Sequence, residues 1–293
     1  MPESKKNSLE DLRNQYHGNL QATIWGYHGS TGHASNADKG SLMSVKLAKE
    51  MLAGAEVPTT NPPSGQAVGS KFAELTKDFI QASFQRLQHI RPGNWVYSIA
   101  QTQAGITAYD QYAHLATVQR ILEEHKEDKQ FRSAFAQDYL IVPDIVIGRA
   151  RLADSEINQQ ESLIEPSSTL AANTPLRAAN VGDQLIMHAS ISCKWTIRSD
   201  RAQNTRTEAL NLIRNRKGNA PHIVAVTAEP LPTRLASLAL GTGDLDCVYH
   251  MGLLELERAL HTVGDESQLE MFEILVSGRR LRGISDLPFD LAV

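Results

Sequence analysis

Asp144 stands with Pro143 in the otherwise apolar run VPDIVIG. A central strand takes proline only at a bulge, an edge or an end, and a buried carboxylate is costly unless it is paired or holds a metal. A second run, LIMHASISCKWTI, contains Ser192-Cys193-Lys194. Strand side chains alternate, so Ser192 and Lys194 share one face and Cys193 takes the other. Fourteen positions after Lys194 comes Glu208, inside the helix-like stretch TRTEALNLIRNR. Each has a plain structural reading. Pro143-Asp144 could be a turn, the S-x-K a strand edge turning polar, and Glu208 a surface acid or the second half of a capping box with Thr205. Together they meet a chemical need. Hydrolysis of a phosphodiester requires carboxylates to hold a metal, a metal to hold water and neutralise the phosphate, and a cation to activate the water or stabilise developing charge. Magnesium prefers oxygen ligands and keeps several waters, so two carboxylates and one backbone carbonyl suffice.

The elements that position these residues follow from patterning. Residues 26–41 and 57–66 are loops, rich in turn formers or proline. Helical spacing of apolar residues predicts helices over 42–53, 69–87, 107–124, 252–263 and 266–276, and residues 1–17 are a short helix or a ragged arm. Residues 94–99, Tyr139–Gly148, Leu185–Ile197 and His222–Thr227 are strand-like, and 153–180 is a polar loop or insertion. Strand, strand, helix, strand, with helices on both sides in sequence, gives an α/β fold with a central mixed β-sheet flanked by helices. No linker interrupts the 293 residues, so a single domain is expected.

Mean hydropathy is −0.31, and no apolar run approaches the roughly 20 residues a membrane span needs. The polar N-terminus lacks the apolar core of a secretory signal. Cys193 and Cys247 are in no metal-ligand spacing and are expected as free thiols in a reducing cytoplasm. Net charge is −4, which on its own argues weakly against nucleic acid. Local charge differs: from Ile191 to Lys217 seven basic residues oppose two acidic ones, seven minus two giving +5. A solvated basic face is the plain reading of that stretch. There is no Walker loop, and the lone GTG at 241–243 is too weak for a nucleotide site.

The segment SISCKWTIRSDRAQNTRTEA (190–209) resembles the NgoMIV-like branch of the PD-(D/E)XK nucleases, a family of type II restriction endonucleases in which the acid usually beside the lysine has moved to the next helix. Pro143-Asp144, Ser192-Cys193-Lys194 and Glu208 follow its pattern in order and spacing. SNAD (35–38), LQHIRPG (87–93), QYAHL (111–115), LNLIRNRKG (210–218), TAEP (227–230), LGTG (240–243) and SDLP-DLAV at the end resemble it too, so the likeness runs from about residue 30 to the end.

The resemblance implies a restriction-endonuclease-like fold and Mg2+ held by Asp144 and the backbone carbonyl of Cys193. Lys194 would contact the attacking water and scissile phosphate, and Glu208 would act through water. Arg198-Ser199-Asp200-Arg201 matches the family's R-x-D-R reader. Arginine's fork suits guanine O6 and N7 and aspartate accepts from cytosine N4, so Arg198, Asp200 and Arg201 suit adjacent G·C pairs, here a CCGG core. Asp38 and Arg234 match readers of an outer G·C pair, favouring GCCGGC, and Gln66 a minor-groove contact. There is one departure. The family glutamate directly follows the phenylalanine of the first catalytic helix, whereas here Phe72 is followed by Ala73 and then Glu74. One helical residue rotates a side chain by roughly 100°.

Also implied are double-stranded DNA as substrate, 5′-phosphate cohesive ends and a homo-oligomer, since a palindrome calls for two-fold symmetry. The resemblance suggests a tetramer on two DNA copies, with a cognate methyltransferase in the same cytoplasm. Alternatives are an inactive sequence-specific DNA-binding protein of the same fold, supported only by the Glu74 departure, an α/β metabolic enzyme, or a repair nuclease that cuts by structure.

Overall fold

The computed structural model describes residues 8–29, 31–55, 63, 65–99, 103–125, 127, 141–165, 168–180, 184–241 and 243–293. Among them, in chain order, the helices are α1 (Leu9–Thr23), α2 (Leu42–Met51), α3 (Gly65–Phe84), α4 (Ala116–Glu124), α5 (Asp154–Ile157), α6 (Ser199–Asn215), α7 (Pro232–Ala239), α8 (Leu253–Val263), α9 (Glu266–Ser277) and α10 (Leu287–Asp290). The strands are β1 (Trp95–Ile99), β2 (Ile145–Arg149), β3 (Ile186–Lys194), β4 (His222–Thr227), β5 (Cys247–His250) and β6 (Leu281–Gly283). They form one mixed sheet in the order β1-β2-β3-β4-β5-β6. The pair β1/β2 is antiparallel, and β4/β5 and β5/β6 are parallel. The expected central mixed sheet with flanking helices is what forms. No helix among the described residues is long and apolar enough to cross a membrane.

The chain falls into two compact units. One comprises 1–91, 191–209 and 223–293, and the other 92–190 and 210–222. In the first, β4 and β5 are continuous apolar runs with Val224, Ala225, Val226, Val248 and Tyr249 all buried. That is the composition of parallel strands covered on both faces. Parallel neighbours need crossover connections. Helix α7 supplies one, packing on β5, and α8 and α9 supply the next, both packing on β6. Helix α1 lies on α3 and starts at a capping box: Asp11 N–H donates to Ser8 Oγ (3.1 Å) and Ser8 N–H to Asp11 Oδ2 (2.7 Å). The ragged-arm reading of 1–17 therefore gives way to a capped helix, with residues 1–7 outside the described part.

In the second unit the register pairs Trp95 with Arg149 and Ile99 with Ile145. Gly148 is tightly packed: a Cβ there would lie 2.9 Å from Leu185 Cδ1 and 3.0 Å from Tyr109 Cε1, so those side chains would have to shift. The helix expected over 107–124 is regular only in α4; before it come 3-10 turns at Gln103–Ala108 and Asp110–Leu115. Tertiary pairing explains the change. Tyr109 is extended and bridges Leu185, and the Gln111 amide accepts Met187 N–H (2.9 Å) and donates to Met187 O (2.8 Å).

The described residues of the insertion 153–180 are tied down by two arginines. Buried Arg177 donates to both Asp154 oxygens (2.6 and 2.7 Å) and to the carbonyls of Ser168 and Leu170. Arg151 donates to Asp110, Pro175 O and Gln184 O. The strand expected over 139–148 begins only at Ile145, after Pro143, and Tyr139 and Leu140 lie outside the described residues.

Candidate functional site

Strand β3 alternates as its sequence demands: Ser192 and Lys194 are half-buried and Cys193 is buried. Ser192 Oγ lies 3.5 Å from Thr205 Oγ1, which is buried on α6. Helix neighbours three apart share a side, so the half-exposed Glu208 continues the Thr205 side of α6. Thr205 stands well inside this helix, which starts at Ser199, so the capping-box reading of Thr205 and Glu208 is replaced.

The chain after Lys194 is fixed by its neighbours. Lys194 O accepts Ala228 N–H at 3.4 Å. The Trp195 ring meets Phe72 edge-on (5.1 Å), and its indole N–H donates to Ser35 O (3.1 Å). Phe72 and Ala73 are buried in α3, whereas Glu74 is on the exposed side, paired with Lys71 at 3.0 Å. Gln66 is exposed in the first turn of the same helix. In the other unit, Pro143 is buried and Asp144 half-exposed, immediately ahead of β2. Among the described residues, no group of three or more His, Cys, Asp or Glu is gathered as a metal site.

A second cluster gathers at the ends of β3 and β4. Asp38 forms an ion pair with Arg234 on α7. The Arg234 guanidinium hydrogen-bonded to it holds the Asp38 carboxyl below the usual carboxylate range, helped by the N–H of Gly40 and the nearby charge of Arg198. Asp38 sits in a loop tethered by Asn36, whose amide donates to Ala228 O (2.9 Å). Arg198 itself is exposed. Asp200 and Arg201 lie in the first turn of α6; their side chains lie outside the described part. The basic run from 191 to 217 is divided between the two units. Arg214, Arg216 and Lys217 belong to the second unit, and Arg206 is 3.4 Å from Asp244, packed against Gly241 of the LGTG stretch.

Sequence reasoning did not single out Glu229. It is fully buried, and its carboxylate accepts the N–H groups of Ile197 (2.8 Å) and Leu231 (3.2 Å). Burial pushes its carboxyl up to about 7, against the opposing pull of those N–H groups and Arg234. The signal was available: an acid in the apolar run VTAEPLP is the same anomaly that drew attention to Asp144.

The family model of the NgoMIV restriction enzyme matches residues 16–293. The chain belongs to the NgoMIV restriction enzyme family. The type II restriction enzyme NgoMIV of Neisseria gonorrhoeae is 48% identical over 280 residues, 94% of each chain. Among solved structures, a complex of the restriction endonuclease PspGI with substrate DNA aligns at TM-score 0.32 and 12% identity, covering 97% of this chain and 92% of that one. Membership therefore rests on sequence, and it makes the protein an enzyme of the restriction endonuclease class. The tethered elements around Trp195 and the Asp38–Arg234 pair fall within the part matched by the family.

Proposed function

We propose that this family member hydrolyses double-stranded DNA at the palindrome GCCGGC with Mg2+, leaving 5′-phosphate cohesive ends. The observation that carries the specificity is the Asp38–Arg234 pair with Arg198 beside it. An aspartate acceptor and arginine forks suit cytosine N4 and guanine O6/N7. Arg198, Asp200 and Arg201 read the CCGG core, Asp38 and Arg234 the outer pair, and Gln66 the minor groove.

Asp144 and the carbonyl of Cys193 would hold the metal, with Glu208 acting through water. These are hard oxygen donors few enough to leave magnesium its waters, so the donor set fits. When bound, magnesium polarises a water and neutralises the scissile phosphate. Lys194 donates to the attacking water and to a phosphate oxygen, and Ser192, braced by Thr205, lines the same strand face. Glu74 is the least constrained member, on the exposed side of α3. The protein acts in the cytoplasm as a homotetramer on two DNA copies, in a single domain, beside a cognate methyltransferase.

The test is digestion of duplexes containing GCCGGC, ACCGGT or no CCGG, in magnesium or calcium, with the ends mapped. Cutting of GCCGGC alone, in magnesium alone, is expected. Tight binding without cutting in any divalent metal would establish the inactive-binder reading instead. Equal cutting of GCCGGC and ACCGGT would remove Asp38 and Arg234 from sequence reading.

A further inference from the structure

We infer that Glu229 is a positioning residue for sequence reading, a buried clamp that holds the backbone roots of Arg198 and Arg234 in one register. This rests on the reading of Arg198, Arg234 and Asp38 as base readers. The geometry is specific. Glu229 Oε2 accepts the N–H of Ile197, the residue before Arg198, at 2.8 Å. Oε1 accepts the N–H of Leu231, which caps α7, at 3.2 Å. Arg234 N–H donates to Leu231 O at 3.0 Å, so it belongs to that same capped turn. The Arg234 side chain closes the loop: Nη1 is 3.4 Å from Ile197 O and 3.9 Å from Glu229 Oε2.

Glu229 is itself immobilised from two sides. Its N–H donates to Thr227 Oγ1 (3.2 Å), and its carbonyl accepts from His250 Nε2 (3.1 Å). His250 Nδ1 accepts Gly252 N–H at 3.1 Å, which assigns the ring proton to Nε2. With no exposed surface, Glu229 reaches neither DNA nor water. A buried carboxylate is a poor way to stabilise a core. Its use here is geometric: one rigid acceptor joins two segments that arrive from different parts of the chain.

A clamp of this kind depends on charge state. The ionised carboxylate makes charge-assisted hydrogen bonds to both N–H groups, and a proton on either oxygen removes that charge and weakens both. The charged and titratable groups facing it are Arg234 on α7, Asp38 on the loop before α2 and His250 on β5, with Arg198 after β3 acting on Asp38. Asp38 is held below the usual carboxylate range and His250 is pushed down to about 4, so neither titrates near neutrality. Glu229, pushed up to about 7, does.

The experiment measures binding of wild type and E229Q to GCCGGC, ACCGGT and CCGG-free duplexes in calcium, at about pH 6 and about pH 8.5, either side of the Glu229 transition. Wild type should discriminate GCCGGC from ACCGGT more strongly at the higher pH. E229Q should lose about tenfold in GCCGGC affinity there, the scale of one base-pair contact. It should also flatten the pH response and leave CCGG-free binding unchanged. The CCGG-free duplex reports every other titration. E229Q that is folded by circular dichroism and binds GCCGGC like wild type at the higher pH overturns the inference. If E229Q does not fold, the wild-type profile decides, and a discrimination ratio that does not change with pH overturns it. A wild type that never prefers GCCGGC overturns the base-reader reading and this inference together.

Discussion

At the scale of single residues, the proposed chemistry separates side chains from backbone. Asp144→Ala and Lys194→Ala should each reduce cleavage to background in a plasmid assay while the fold persists, and wild-type rates in either would remove that residue from the active site. Cys193 is assigned only its carbonyl, and its side chain is buried on the opposite face of β3. Cys193→Ala should therefore keep cleaving and lose only about 1 kcal/mol of stability to the vacated volume. Glu229 makes a prediction about stability. Burial pushes its carboxyl in the folded protein up to about 7, above the ordinary glutamate value of roughly 4.3. Folding is favoured by this group below the lower value, and that contribution is lost as pH rises through the upper one. Relative to E229Q, wild type should lose about 2 to 3 kcal/mol between about pH 5 and pH 8.5 in urea denaturation. A constant difference across that range would mean that Glu229 stays ionised throughout.

At the scale of elements, what the sequence allowed a reader to see depended on whether the cause was local. Strand β4 over His222–Thr227 was legible to the residue, because a continuous apolar run of that length bounded by turn formers has few other readings. The alternation placing Ser192 and Lys194 together was equally local. Strand β5, CVYH, was missed: four residues buried on both faces carry no period, and its neighbours are set by long-range pairing with Val224–Thr227. The irregular start of the 107–124 segment was hidden for the same reason, since its cause is the grip of Gln111 on Met187. The unequal match of Glu74 shows the limit of motif reading, because Phe72 is fixed by Trp195 and the rotation of the helix follows from that packing. Gly148 is where element packing is least forgiving. Gly148→Ala should cost about 1 to 3 kcal/mol by overpacking against Leu185 and Tyr109. An unchanged melting temperature would mean that those side chains move aside readily.

For the whole molecule, a net charge of −4 and a DNA substrate are compatible because potential is local. Arg198 is exposed beside the Asp38–Arg234 pair, while Arg206 is partly neutralised by Asp244. The proposed tetramer engages two DNA copies at once, so a plasmid with two GCCGGC sites should be cut faster per site than a plasmid with one. Adding a short GCCGGC duplex in trans should speed cutting of the single-site plasmid. Equal per-site rates without such activation would favour independent dimers.

Because Asp38 and Arg234 neutralise each other from positions 196 residues apart, neither can mutate alone without stranding the other's charge in a partly buried cluster. On the proposed reading of the outer base pair by these two residues, a lineage that drifts to a different outer pair would have to exchange both, and an intermediate carrying one change would pass through an enzyme that both binds poorly and folds less well. Among descendants of a common ancestor, these two columns should covary, and hexanucleotide specificity should be inherited in discrete classes with no gradation between them.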